Sequence, residues 1–155
     1  MNIKFERISS NIKLRGYPLI GSGSGRTVFD LKNGYVVKAA KNKKGIEQNK
    51  AECEISKKDH HKIFAEVIAY SDDYRFLIME KAQRINSFAI VWKYYNVKNN
   101  KQLLSLEEIS HVLEEYDLLP VDLYRLSSWG IVNGKPVIID YGFTRQVREL
   151  YRFRL

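Results

Sequence analysis

At 155 residues the chain has room for one domain, or one small two-lobed unit, and 45% hydrophobic with 28% charged residues excludes a disordered polymer. The lone Cys53 excludes an intramolecular disulfide and a cysteine-rich zinc site, so a reduced, cytoplasmic setting is expected, and no apolar stretch is long enough for a secretion signal or a membrane span. A formal net charge of +8 suits phosphate-bearing partners without choosing between nucleotide, nucleic acid and lipid head group.

In chain order, the first informative stretch is LIGSGSGRTVFDLKNGYVVKAAK, Leu19 to Lys41. Gly21, Gly23 and Gly25 alternate with Ser22 and Ser24. Glycines so clustered let a backbone approach a ligand and aim N–H groups at phosphate oxygens, but on their own they also fit a plain mobile turn. Thr27–Leu31 and Tyr35–Lys38 then read as strands around Asn33-Gly34, which predicts a hairpin with both central residues at positive φ. No helix follows the glycines directly, and no Gly-Lys-Ser or Gly-Lys-Thr occurs there. A dinucleotide fingerprint and a Walker loop are therefore both excluded.

Lys38 lies among Val36, Val37, Ala39 and Ala40, a poor place for a charge unless a partner meets it. A helix is predicted over 46–55, and it could bring Glu47, Glu52 or Glu54 to the lysine. The alternative is a strand-edge lysine that snorkels its amine into water. Lys41, Lys43 and Lys44 read as a solvated loop. Cys53 reads as a small core residue of the helix. His60 and His61 are adjacent in a polar stretch and read as solvated.

Phe64–Tyr70 and Tyr74–Met79 read as two strands joined at Ser71-Asp72-Asp73. Phe88 to Tyr95 is apolar almost throughout, and its periodicity does not separate helix from strand. Ser105 with Glu108 suggests a capping box ahead of a helix carrying Leu106, Ile109, Val112, Leu113 and Tyr116. Trp129 to Ile139 reads as strand, Asn133-Gly134 turn, strand. It delivers Asp140 to a strand mouth, where a carboxylate can hold Mg²⁺ or simply start a turn. In the tail, a helix would put Arg145, Arg148 and Arg152 on one face and Val147, Leu150 and Tyr151 on an apolar side. Those arginines read either as a closing helix's solvated face or as a partner surface.

Taken together these stretches resemble the protein-kinase-like fold. Gly21-x-Gly23 with Val28 is similar to the glycine-rich loop, and Val36-Val37-Lys38 to the strand bearing the phosphate-binding lysine. Glu52 best matches that lysine's glutamate partner, with Glu54 second. Leu77–Ala82 resembles the hinge strand, and by the same analogy Phe88–Tyr95 is a helix just after it. Asp140-Tyr141-Gly142 is similar to the Asp-Phe-Gly metal motif, and Asp122 falls where the catalytic-loop aspartate belongs.

The resemblance implies an α+β fold, with an antiparallel lobe and one helix over 1–82 and a reduced, mostly helical lobe over 83–155. It implies ATP on Gly21, Ser22, Gly23, Ser24, Gly25, Val28, Lys38, Glu52, Glu80 and Ala82, and Mg²⁺ on Asp140 with Ser127. Catalysis would fall to Lys38, Asp122 and Asp140. The activity implied is a minimal Ser/Thr-type phosphotransferase, or a catalytically weak or inactive pseudokinase-like module that works by binding a host or partner protein. Short chains of this look occur in bacteria and their phages. A basic nucleic-acid binder is a third reading, supported only by diffuse charge.

Four departures stand out. The loop's third glycine falls at Arg26, with Gly25 one place early. Pro120-Val121 replaces the usual His-Arg, and Ser127 replaces an asparagine. Thirteen residues after Gly142 leave no room for an activation segment or a substrate platform.

Overall fold

The structure is a computed structural model that describes residues 3–152. Two sheets and six α-helices make up an α+β fold. Five antiparallel strands form the larger sheet in the order β1-β2-β3-β5-β4: β1 (Leu19–Ser22), β2 (Arg26–Asp30), β3 (Tyr35–Ala40), β4 (Val67–Tyr70) and β5 (Phe76–Glu80). Three strands, β6 (Gln83–Arg84), β7 (Trp129–Val132) and β8 (Lys135–Ile138), form the smaller one. A single parallel bridge from Phe64 to Ile138 ties the two halves, reinforced by Ala65 N–H on the Ile138 carbonyl at 2.9 Å.

The alternation of β3 splits the core in two. Val37 faces one side, where it packs with Ile78 and with Ile8 of helix α1 (Phe5–Lys13). That helix lies where the sequence analysis places no element. Its Phe5, Ile8 and Ile12 recur at helical spacing and cover the outer sheet face. Val36 and Lys38 point the other way, toward helix α2 (Lys43–Lys58) and the main core. Asn42 caps α2, accepting from Gly45 N–H at 3.1 Å, and Gly45, Asn49, Glu52, Cys53 and Ile55 make its buried face. The helix is longer at both ends than the 46–55 expectation because Asn42, not the lysine run, sets its start.

Below the sheet lie α3 (Ala89–Tyr95), α4 (Asn100–Ser105), α5 (Glu107–Glu115) and α6 (Arg145–Arg152), with short 3₁₀ turns at Pro120–Tyr124 and Leu126–Ser128. Val91, Leu103, Ile109, Val112 and Trp129 join one apolar cluster with Phe64, Leu77 and Met79. Among the described residues no helix is long and apolar enough to cross a membrane.

Three local expectations need correction. The Asn33-Gly34 hairpin is not a two-residue turn. Leu31 N–H bonds the Tyr35 carbonyl at 3.0 Å, and positive φ falls on Lys32 and Gly34. Asp30 causes the shift, because its carboxylate accepts from Lys32 N–H at 2.8 Å and starts the turn one residue early. The Asn133-Gly134 turn does have both φ values positive (52° and 79°). The Ser105–Glu108 capping box is absent: Ser105 closes α4 and donates its hydroxyl to the Lys101 carbonyl at 2.7 Å. Phe64 and Ala65 lie outside β4, because they pair with β8 instead.

Candidate functional site

Between the sheet and the helical half lies a cavity of about 1170 Å³. Its roof is the β1–β2 hairpin, where the clustered glycines make a tight reversal with Gly23 N–H on the Arg26 carbonyl at 2.9 Å. Lys41 Nζ holds the hairpin through the Ser22 hydroxyl and Gly23 carbonyl, both at 2.6 Å. Lys44 Nζ reaches the Ser24 hydroxyl at 2.7 Å. Lys41 and Lys44, read as merely solvated, thus fix the loop and add positive charge to it, while Lys43 and Lys44 open α2.

The approach of Gly25 to α2 is what requires a glycine at position 45. The Gly25 carbonyl accepts from Lys41 N–H at 2.8 Å, and it lies so close to α2 that a Cβ on Gly45 would collide with it. One turn along the same helix, a Cβ on Gly142 would sit 2.6 Å from the Gln48 carbonyl oxygen. The first half of α2 thus meets both the hairpin and the 140–142 segment at backbone distance.

The floor of the cavity holds a buried ionic cluster. Glu52 is fully buried, and Lys38 Nζ donates to its two oxygens at 2.8 and 3.1 Å. Lys38 also donates to the Ile139 carbonyl at 2.6 Å, so the strand-edge alternative fails. Glu54 is exposed, and neither it nor Glu47 meets the lysine. Arg26 is the unexpected member. It lies in β2 with its guanidinium forked onto Glu52 at 2.7 and 3.1 Å, and NH1 reaches the Asn49 side-chain oxygen at 3.0 Å. NH2 also donates to Asp140 at 3.1 Å. A fifth hydrogen bond on Glu52 comes from Tyr141 N–H at 2.9 Å.

Burial opposes the Glu52 charge, but Arg26 and Lys38 outweigh it through charge and hydrogen bonding and hold the carboxyl at about 2. Desolvation pulls the Lys38 ammonium down from its ordinary value, Glu52 opposes that pull, and nearby Arg26 adds to it.

Asp140 is held differently, with 55% of its side chain exposed. Tyr141 behind it is buried, its hydroxyl donating to the Ala65 carbonyl at 2.6 Å and its ring 4.6 Å from that of Phe64. Across the cavity, Asp122 sits in the 120–124 turn. That turn is pinned by the Ser128 hydroxyl on the Asp122 carbonyl (2.6 Å) and by the Trp129 indole on the Leu123 carbonyl (3.0 Å). Burial lifts the Asp122 carboxyl above its usual range, with Arg148 and Arg125 pulling it back. Arg148 NH2 is 3.5 Å from both Asp122 oxygens, and its guanidinium lies 4.5 Å over the Phe143 ring. Ser127 is exposed and lines the same cavity.

Val28, Val36 and Met79 make the apolar wall, and Glu80 and Ala82 line its edge. The Glu80 carboxylate is turned away, accepting from Glu66 N–H at 2.8 Å. Arg145 pairs with Asp117 at 3.3 Å and Arg148 with Asp122 at 3.5 Å, while both arginine side chains keep much of their surface exposed. Val147 is buried as expected, whereas Leu150 is exposed; the side chains of Tyr151 and Arg152 lie outside the described residues.

No family model and no curated protein matches the chain. Solved structures do. The gentamicin complex of the aminoglycoside phosphotransferase APH(2″)-IIa aligns with a TM-score of 0.50 at 19% identity, over 92% of this chain and 71% of that one. Its streptomycin–ATP complex gives 0.46 at 17% identity, over 92% and 71%. The SAICAR synthase of Saccharomyces cerevisiae, complexed with SAICAR, gives 0.42 at 14% identity, over 81% and 73%. The fold is protein-kinase-like.

Proposed function

We propose that the cleft binds ATP and that the chain is a minimal kinase-like phosphotransferase acting on a hydroxyl acceptor, with a protein Ser or Thr as the first candidate. One observation carries this reading: the buried Lys38–Glu52 pair lies under a glycine hairpin, in one cavity with two further carboxylates. Glu52 aims the Lys38 ammonium at the place where α- and β-phosphates would lie, and the hairpin's backbone N–H groups serve the phosphate oxygens. Val28, Val36 and Met79 offer the flat apolar contact that a purine needs, along the edge marked by Glu80 and Ala82.

Asp140 has the oxygen chemistry for Mg²⁺, since one carboxylate with phosphates and water suffices, and its exposed side chain fits that role. Ser127 would add a weaker oxygen. The ion, when bound, supplies neutralisation of phosphate charge. Asp122 orients the acceptor hydroxyl and takes its proton as the oxygen bonds to the γ-phosphorus and ADP departs. The 1–82 and 83–155 division follows the same reading, with the nucleotide between the two lobes.

A second reading is favoured by a specific contact. Arg148 meets Asp122 where an acceptor would sit, which suits a silent module that acts by engaging a partner protein. Thermal-shift titration with Mg²⁺-ATP, run beside a labelled-phosphate transfer assay, separates the two. At a hundredfold excess over Kd, bound nucleotide adds about 2.7 kcal/mol of stability. Lys38→Met should lose that gain, while Asp122→Asn should keep it and lose transfer. A shift without transfer to any acceptor leaves the silent module, and no shift removes the nucleotide.

A further inference from the structure

Arg26 stands where a glycine-rich loop would carry its last glycine, yet its side chain is buried in the cavity floor. Its NH1 and NH2 groups span three acceptors on two elements: Asn49 and Glu52 of α2, and Asp140 beyond β8. The local charges balance, two cations (Arg26, Lys38) against two carboxylates (Glu52, Asp140). Without Arg26, the same floor would face an incoming polyphosphate with one lysine and two carboxylates.

Asp140 is the acid that would repel phosphate most, because it is exposed to the cavity. An acid so placed normally needs a divalent cation before phosphate can approach. Here a guanidinium, permanently charged and suited by its fork to oxyanions, already sits 3.1 Å from it.

We infer that Arg26 is a phosphate-binding residue of this cleft, whose guanidinium neutralises Asp140 so that a nucleoside polyphosphate enters without a divalent cation. The inference rests on the nucleotide reading above and adds to it. Arg26 and the metal share Asp140, so metal binding competes with the guanidinium instead of building on an empty acid. Released from Asp140, one NH2 hydrogen is free to donate to a phosphate oxygen, while the other stays on Glu52 and NH1 stays on Glu52 and Asn49.

The test is calorimetric titration of ATP into the full chain, once with EDTA and once with Mg²⁺, read as the ratio of the two Kd values. The native chain should give a ratio within about threefold, and Arg26→Gln should raise it at least tenfold by weakening the metal-free arm. Binding of the native chain only with Mg²⁺ would overturn the inference and leave the nucleotide reading standing. No binding in either arm would remove both. Where circular dichroism shows Arg26→Gln unfolded, Asp140→Ala decides. It frees the guanidinium and should tighten metal-free ATP at least threefold, and unchanged or weaker binding overturns the role.

Discussion

Glu52 and Asp122 sit in one cavity and are held in opposite ways. Glu52 is dry and accepts from Lys38, Arg26 and the Tyr141 amide, all within 3.1 Å. Asp122 is partly wet, and Arg148 meets it at 3.5 Å. The phosphate side of the cleft is therefore preorganised by burial, while the acceptor side is set by a loose, half-buried pair. Preorganised charge costs nothing to reorient at the moment of reaction, and a loose pair yields to whatever enters.

The sharpest way to break this contrast is Glu52→Gln. It strands two buried cations, and urea unfolding should show a loss of about 3–5 kcal/mol. Asp122→Asn should cost under about 1 kcal/mol in the same assay. Equal losses would erase the distinction.

Acid titration reads the same contrast without mutation. The Glu52 carboxyl is held at about 2 in the folded chain against an ordinary 4.5. A depressed carboxyl stabilises fully above its unfolded value and stops doing so as pH falls through the folded one. Stability should thus decline between about pH 4.5 and pH 2, by on the order of 3 kcal/mol from this group. Glu52→Gln should flatten that decline.

Lys38→Met comes next. Glu52 keeps Arg26 and the Tyr141 amide, so the expected loss is about 1–2 kcal/mol. The smallest stability effect belongs to Arg148→Ala, below about 1 kcal/mol. Its clearer readout is the carbon-13 titration of Asp122, which should move up further once Arg148 no longer pulls it down.

How much of this was legible follows the range of the interactions. Lys38 could be picked out because a charge inside Val36-Val37-Lys38-Ala39-Ala40 demands a partner, and helical spacing left three glutamates as candidates. Only the seating of α2 against β3 selects Glu52. Asn133-Gly134 was readable because its turn is local. Asn33-Gly34 was misread because Asp30, three residues upstream, starts the turn early. Arg26 looked like a failed glycine, and nothing within ten residues of it indicates Glu52, Asn49 or Asp140. Its one available signal was its place in β2 opposite Ala40, two pairs along from Val28 and Lys38 and so on the same face. The pairing of Asp122 with Arg148 was equally out of reach, since the two meet only through the path of α6.

The glycine contacts on α2 have a mechanical consequence. Gly25 meets the helix at Gly45 and Gly142 meets it at Gln48, and neither Gly45 nor Gly142 has clearance for a methyl group. Contacts this close couple the hairpin, the helix and the 140–142 segment, and the three are expected to open together. The Lys41 amide on the Gly25 carbonyl and the Tyr141 amide on Glu52 bracket that unit. Under native conditions these two amides should exchange their hydrogens at one shared rate, although a hundred residues separate them in sequence.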